Sequence, residues 1–468
     1  MPMTSPKMQE TLANRDLQLA VYTATGRLMD KRRGTVSADV LPDYQELRTQ
    51  ANLIKQHTVD HLDWYLEEFE RNVKARGGHV VWCETGKDVA DFVLKLAKER
   101  SAQLIVKSKS MTTEEIDLNE HVEEHGLEAV ETDLGEYILQ LAHQKPYHIV
   151  APALHMTRYE VADVFTKELG VERETVPENQ TMIARRVLRQ KFLAADIGIT
   201  GANFLVADSG AIVLVENEGN ARLSSSAPKI HIAIAGMEKL IPRAQDLPVF
   251  LKLLGRSATG QPLTSYTSFL AGARRQGEAD GPEEFYVVIL DNGRTKLLEN
   301  PERRQSLFCI RCGACLNHCP VYRKIGGHNY PWVYSGPIGA IITPQFHGVQ
   351  RDPWLPFASS LCGACGEVCP VKIDIPKLLL DLRADVVANS TTNGIEKTVF
   401  RLWAAVMTRP ALYRAALAAG SVTGSAEKRW IGNSSGMLAV GPIKAWLSQR
   451  DLPSPAPKTF RQLWKERQ

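Results

Sequence analysis

Seven of the eight cysteines in this 468-residue chain fall between positions 309 and 369. Crowding of that kind does not suit disulfide pairing; CxxC spacings point to metal instead. Cys309, Cys312, Cys315 and Cys319, followed by Pro320, form the C-x2-C-x2-C-x3-C-P ligand run of bacterial-type ferredoxins. Four thiolates at that density can surround one iron–sulfur cube. The small Gly313 and Ala314 let backbone N–H groups approach the sulfurs, and Pro320 turns the chain away. Structural zinc needs only two CxxC pairs, so the third closely spaced cysteine disfavours it.

A second run, Cys362-Gly-Ala-Cys365-Gly-Glu-Val-Cys369-Pro370, repeats the end of the first. Aligning the two Cys-Pro pairs sets Ser359 opposite Cys309. In two-cluster proteins the fourth cysteine of each run ligates the other cluster. That rule makes Cys309, Cys312, Cys315 and Cys369 one complete set, and leaves Cys319, Cys362 and Cys365 one thiolate short. The missing ligand has four candidate sources: an oxygen from Ser359 or Ser360, Cys83 from elsewhere in the chain, water or a partner, or a cluster of only three irons. His318, His328 and His347 lie nearby, but nothing pairs them at ligand spacing, and hydrogen-bonded or exposed histidines are the plainer expectation. Forty-three positions separate Cys319 from Cys362. That is longer than in a compact ferredoxin and resembles the helical dicluster modules of succinate-dehydrogenase-like iron–sulfur subunits.

The elements that must position these thiols come from the rest of the chain. Residues 1–75 read as helical, with Leu53, Ile54, Leu62, Tyr65, Leu66 and Phe69 at helix-like spacing before Gly77-Gly78. Residues 76–300 alternate short apolar runs with amphipathic stretches. Strands are expected at HVVWC, QLIVK, HIVAP, AIVLV, HIAIA and FYVVIL, and helices at 160–169 and 238–254. Val- and Ile-rich strands alternating with helices indicate an open α/β sheet covered on both faces. Residues 301–385 hold the cysteine runs, and 386–468 form a basic C-terminal extension. From 377 to 468 there are 14 Lys and Arg against 6 Asp and Glu, although the whole chain carries only +3. A positive segment of this kind can dock a partner or a membrane surface, or simply be solvated.

The near-neutral balance excludes a generally basic nucleic-acid binder. At 44% hydrophobic and 23% charged residues, the composition is that of a globular protein. The first residues lack the features of a secretory signal, and Pro331, Pro337 and Pro344 interrupt the longest charge-free run, 325–350, so no bilayer span is expected. The expectation is a cytoplasmic protein, in a compartment that keeps thiols reduced.

Two stretches of the α/β region can form a small-molecule site. Lys107-Ser-Lys109-Ser110 precedes Thr112-Thr-Glu114-Glu115, a strand running into a capped helix start that can also receive a carboxylate or phosphate. Thr200, Asn203, Asp208, Glu216, Asn217, Glu218 and Arg222 flank the AIVLV strand, where open sheets place ligands, although such residues are also ordinary turn formers. No dinucleotide or P-loop glycine pattern and no nucleophile elbow is present. The lone Cys83 reads as a buried structural thiol.

KSKSMTTEEI, ETDLGEYI, HIVAPALH, ADIGITGANFLVADSGAIVLVENEGNARL, the two cysteine runs and KIDIPKLL together resemble the lactate-utilisation protein B family, the iron–sulfur subunits of a three-protein bacterial L-lactate oxidation system. The resemblance implies a LUD-type α/β domain of the NagB/RpiA/CoA-transferase-like class, then a mainly helical dicluster ferredoxin-like domain, with helical extensions at both ends. It implies two [4Fe–4S] clusters, the second with three cysteine ligands, and partner subunits in lactate oxidation to pyruvate. A 2-hydroxy acid releases two electrons, whereas a cluster exchanges one at a time, so two clusters can accept them in steps. A second reading makes the α/β domain itself a ligand-processing enzyme of CoA-transferase or isomerase type, with the clusters auxiliary. Glu216-Asn217-Glu218-Gly219 faintly resembles the glutamate loop of CoA-transferases, with Glu218 as an insertion.

Overall fold

The computed structural model describes residues 6–389, 394–419 and 458–468. Ten strands occur among them: β1 (His79–Cys83), β2 (Leu104–Lys107), β3 (Glu128–Glu131), β4 (Ile197–Thr200), β5 (Phe204–Val206), β6 (Ala211–Glu216), β7 (Ile230–Gly236), β8 (Leu240–Ile241), β9 (Tyr266–Leu270) and β10 (Glu284–Leu290). Six form one sheet in the order β1-β10-β7-β4-β2-β3, with every neighbouring pair parallel. Strand alternation explains why both faces are apolar. In β7, Ile230, Ile232 and Ile234 enter one core cluster, while Ala233 and Ala235 enter the cluster on the opposite face. In β10, Val288 and Leu290 divide from Phe285, Val287 and Ile289 in the same way.

The mostly parallel α/β sheet was legible in the sequence, but its membership was not. AIVLV becomes β6 of a second, four-stranded sheet, β8-β5-β6-β9, paired antiparallel with β5 and β9. This sheet is an intermediate layer. Leu205 and Ile212 face the large sheet's core, and Phe204, Val206 and Val213 face the cluster that contains the cysteines.

Two expected elements take other forms. HIVAP at 148–152 is not a strand, because the His148 ring nitrogen Nδ1 accepts the N–H groups of Val150 (3.0 Å) and Ala151 (3.2 Å), which folds the segment onto itself. The helix expected over 238–254 begins only at Leu247 and runs as Leu247–Ala258. Before it, a 3-10 turn Met237–Lys239, β8 and a second turn, Ala244–Asp246, occupy the segment, because Pro242 cannot continue a helical hydrogen-bond ladder.

The N-terminal region folds as helices Pro6–Ala13, Arg15–Val36, Tyr44–Asp60 and Leu62–Ala75. Tyr44, Leu47 and Ala51 share one core cluster with Cys312, Cys315, Cys319, Cys365 and Cys369. The four compact helices around those cysteines are Ala314–His318, Gly336–His347, Ala364–Val368 and Ile375–Ala388. Residues 390–468 form a separate unit, in which Gly394–Met407 and Phe460–Glu466 are helical. Residues 390–393 and 420–457 of the basic segment lie outside the described residues. Among the described residues, no helix is long and apolar enough to cross a membrane.

A buried ion-pair chain ties the sheet to the cysteine segment. The Arg294 guanidinium donates to both oxygens of Glu115, each at 2.9 Å, and its Nε donates to Glu238. Glu238 also accepts from Arg311, and Tyr334 donates to Glu115 at 2.6 Å. Arg294, Glu115 and Glu238 have essentially no side-chain exposure. Removing one partner of such a pair leaves uncompensated buried charge. Arg294→Met is therefore expected to destabilise the fold by about 3–5 kcal/mol, read as a lowered midpoint of urea unfolding.

His231, buried in β7 and bonded to the Thr200 hydroxyl at 2.9 Å, is pushed by burial down to about 3. The unfolded chain then binds more protons than the native state between the ordinary histidine range and pH 3. Stability present above that range is lost as pH falls through the window, by an amount on the order of a few kcal/mol. His231→Gln should flatten that part of the stability–pH curve; an unchanged slope would refute the assignment.

Candidate metal centres

Both cysteine runs adopt the same local path. Gly313 and Gly363 start the short helices Ala314–His318 and Ala364–Val368 in the left-handed region, at φ 72° and 83°. The helices pack against each other and end at Cys319 and Cys369 in extended backbone, with ψ of 117° and 118°. Backbone amides near the ends of both runs meet sulfur. Arg311 N–H donates to Cys309 Sγ, Tyr322 N–H to Cys319 Sγ and Ile373 N–H to Cys369 Sγ, each at 3.4 Å.

The fold brings all seven expected cysteines into one region and gathers them in two groups. Cys309, Cys312, Cys315 and Cys369 line one small cavity with apolar walls from Ile149, Ile338 and Ile373. Cys319, Cys362 and Cys365 lie within electrostatic reach of one another. The first group is the more enclosed, whereas Cys362 is exposed. Burial pushes the Cys369 thiol up to about 11 and Cys365 to about 12, while the Ala364 amide and the Ser360 hydroxyl hold Cys362 below its ordinary range. Buried thiols of this kind ionise favourably only when a metal replaces the proton.

The surroundings fit an anionic, thiolate-held iron–sulfur group. Beside Cys309 lie three buried cationic side chains, Lys55, Lys239 and Arg311, and Glu238 links Arg311 to the buried Arg294–Glu115 pair. Burial holds Lys55 down to about 7 and burial together with Arg311 holds Lys239 to about 8, so a nearby anion would favour the charged form of both. On the other flank, Arg48 donates to the Cys369 carbonyl through Nε (2.9 Å) and Nη2 (2.8 Å), and Arg32 donates to the Val368 carbonyl at 3.2 Å. These arginines lock the Cys-Pro loop from the N-terminal helices, a role that no cysteine spacing announced.

The remaining candidates separate cleanly. Cys83 is buried in a core cluster containing none of the other cysteines, and burial lifts its thiol to about 11. His318 Nδ1 bonds the Ala314 carbonyl, His328 Nε2 bonds the Lys145 carbonyl, and His347 lies against Trp332. All three are therefore accounted for by ordinary contacts.

The two polar stretches of the α/β region meet in one cleft of about 260 Å³ at the carboxyl ends of β2 and β4. Ser108, Lys109 and Ser110 line one wall and Asn203, Glu216 and Glu218 another, with Lys239 and Arg311 at the end toward the cysteines. Ser110 caps the helix Met111–Glu115 through the Thr113 N–H, as the capping pattern predicts. Lys107 does not reach the cleft, because its ammonium is buried against Glu131 (2.6 Å) and Glu114 (2.9 Å). Glu136 completes that carboxylate group, and burial beside Glu131 holds it well above the carboxylate range. Glu216 accepts the N–H groups of Ala221 (2.7 Å) and Arg222 (2.9 Å), so it serves as the cap of helix Asn220–Ser226.

Three family models match the chain: LUD domain over residues 66–290, 4Fe-4S dicluster domain over 305–373, and Lactate utilisation protein B, C-terminal, over 384–468. The "Lactate utilization protein B" of Bacillus velezensis is 45% identical, covering 99% of this chain and 96% of that protein. Proteins of the same name from Shouchella clausii and Bacillus pumilus are 43% and 44% identical, each covering 99% of this chain and 97% of theirs. A crystal structure of a duf162 family protein from Deinococcus radiodurans overlaps 49% of this chain and 98% of its own at 11% identity and a TM-score of 0.28, too slight a likeness to bear on the fold.

The first run is packed more tightly than the second, which gives a test of the loop geometry. A Cβ at Gly313 would sit 3.0 Å from Val150 and 3.1 Å from His148, whereas one at Gly363 meets nothing within 4 Å. Both substitutions carry a left-handed backbone penalty of roughly 1–2 kcal/mol. Gly313→Ala should add a steric cost and reduce both bound iron and the thermal midpoint, while Gly363→Ala shows the backbone penalty alone. Equal losses in the two variants would contradict this packing.

Proposed function

The chain belongs to the lactate utilization protein B family, and from that membership we propose that it is the iron–sulfur electron-transfer component of a multi-subunit system that oxidises L-lactate to pyruvate, acting in the cytoplasm. Its role is in lactate utilisation, and its dicluster domain carries iron–sulfur chemistry. In this reading Cys309, Cys312, Cys315 and Cys369 hold one [4Fe–4S] cluster, and Cys319, Cys362 and Cys365 hold a second. Bound there, the clusters supply one-electron acceptance and donation.

The observation that carries the reading is the grouping of thiols across the two runs, four and three, beside an excess of buried cations. The chain's own residues hold the sulfurs, donate N–H bonds to them and exclude water from the enclosed group with isoleucine side chains. Dehydrogenase chemistry on the 2-hydroxy acid then belongs to partner subunits. The competing reading, in which the α/β domain is itself a CoA-transferase-like enzyme, needs a free glutamate. Glu216 is instead committed to two backbone amides.

Two measurements test the proposal. Anaerobically prepared protein should be reduced by lactate only when partner subunits are present; lactate or acyl-CoA turnover by the isolated chain would sink it. Cys309→Ala and Cys369→Ala should abolish the same EPR signal, and Cys362→Ala the other. Loss of separate signals from Cys309→Ala and Cys369→Ala would break the crossed assignment.

A further inference from the structure

We infer that Ser359 Oγ is the fourth protein ligand of the second centre, in the place that Cys309 Sγ takes in the first. The inference rests on the two-centre reading above and on a backbone repeat extending beyond the cysteines themselves. Residues fifty positions apart correspond throughout. Arg311 and Leu361 are both non-glycine residues in the left-handed region, at φ 59° and 54°. Gly313 and Gly363 follow at φ 72° and 83°, then equivalent five-residue helices, then Cys319 and Cys369.

A bulky residue with positive φ is rare and costs on the order of 1–3 kcal/mol, so its persistence marks a constraint imposed by the surroundings. At Arg311 the constraint is evident: the left-handed turn aims its N–H at Cys309 Sγ, 3.4 Å away. Leu361 makes the same turn, and its N–H donates to Ser359 Oγ at 3.1 Å. The second run has thus kept both the strain and the amide-to-ligand bond of the first, with oxygen in place of sulfur. No cysteine at 359 explains the retained turn; a ligand oxygen does.

Two further contacts single out Ser359. Arg383 donates to the Ser359 carbonyl (3.0 Å) and, through Nε, to the Pro356 carbonyl (3.0 Å), pinning the segment to the helix Ile375–Ala388. Ser360 has its hydroxyl on Cys362, where it acts as a donor to a ligand sulfur. Ser359 is half-buried, three residues before the exposed Cys362, so the hydroxyl proton can leave to solvent as the Oγ–Fe bond forms. The completed set is then Ser359, Cys362 and Cys365 from one run and Cys319 from the other, mirroring Cys309, Cys312 and Cys315 with Cys369.

The test uses full-length wild type, Ser359→Ala and Ser359→Cys, reconstituted anaerobically with iron and sulfide. Iron and sulfide analysis, EPR and Mössbauer spectra are taken before and after mild ferricyanide oxidation. Wild type should keep both cubanes, with one iron of the second showing oxygen-ligated Mössbauer parameters. Ser359→Ala should lose that single iron on oxidation and gain a three-iron EPR signal, leaving the first centre unchanged. Ser359→Cys should retain the iron with thiolate-like parameters, which also serves as the folded control. A Ser359→Ala protein indistinguishable from wild type, or a wild type that itself converts to three irons, overturns the inference. Failure of the underlying reading looks different: Cys309→Ala and Cys362→Ala would abolish one and the same signal.

Discussion

Everything near the cysteines hangs on a charge arrangement that the protein could not bury cheaply. Glu115 follows β2, Glu238 follows β7, Arg294 follows β10, and Arg311 lies between the first two cysteines of its run. Each ion carries a desolvation cost of several kcal/mol, offset only where geometry and hydrogen bonds are nearly complete. The bidentate Arg294–Glu115 pair, the Tyr334 and Asn292 donors and the shared Glu238 supply that completeness. Because the participants come from three strand ends and the cysteine loop, they fix the loop against the carboxyl edge of the parallel sheet. One rigid junction therefore determines both the shape of the cleft and the position of Cys309.

The junction also sets the electrostatics. Lys55 and Lys239 add positive charge that the two carboxylates do not balance, and both ammonium groups are held well below their ordinary range. On the reading proposed above, a thiolate-held iron–sulfur group would supply negative charge beside them. On that reading metal loading and folding would be coupled twice: once through thiols that ionise on ligation, and once through lysines whose charged form the loaded centre would stabilise. Two of the cations beside Cys309, Lys239 and Arg311, also line the cleft. What happens in the cleft and at the enclosed centre is thus joined by shared charge.

Much of this was readable from the chain. The cysteines declared themselves because ligand spacing is a local property, and the buried parallel strands did so because both of their faces are apolar. Other features depend on contacts distant in sequence. HIVAP has strand composition, yet His148 satisfies the Val150 and Ala151 amides and bonds Asn317 of the cysteine run at 3.1 Å, so tertiary docking overrides propensity. The segment 238–254 has helical spacing, but Glu238 and Lys239 are needed at the junction and Pro242 separates them from the helix. Arg32 and Arg48, which grip the second Cys-Pro loop from over three hundred residues away, leave no periodic trace at all.

The two centres share a backbone design but not an environment, and that difference is itself a functional constraint. Cluster potential depends on burial, hydrogen bonds to sulfur and nearby charge. The group of Cys309, Cys312, Cys315 and Cys369 is enclosed by isoleucines and flanked by buried cations, which favour added negative charge. The group of Cys319, Cys362 and Cys365 reaches the surface at Cys362, where water screens charge. If the two groups hold clusters as proposed above, sites built on one repeated loop, yet differing in enclosure and local charge, would give a gradient between an interior centre beside the cleft and an outer centre that reaches the surface at Cys362.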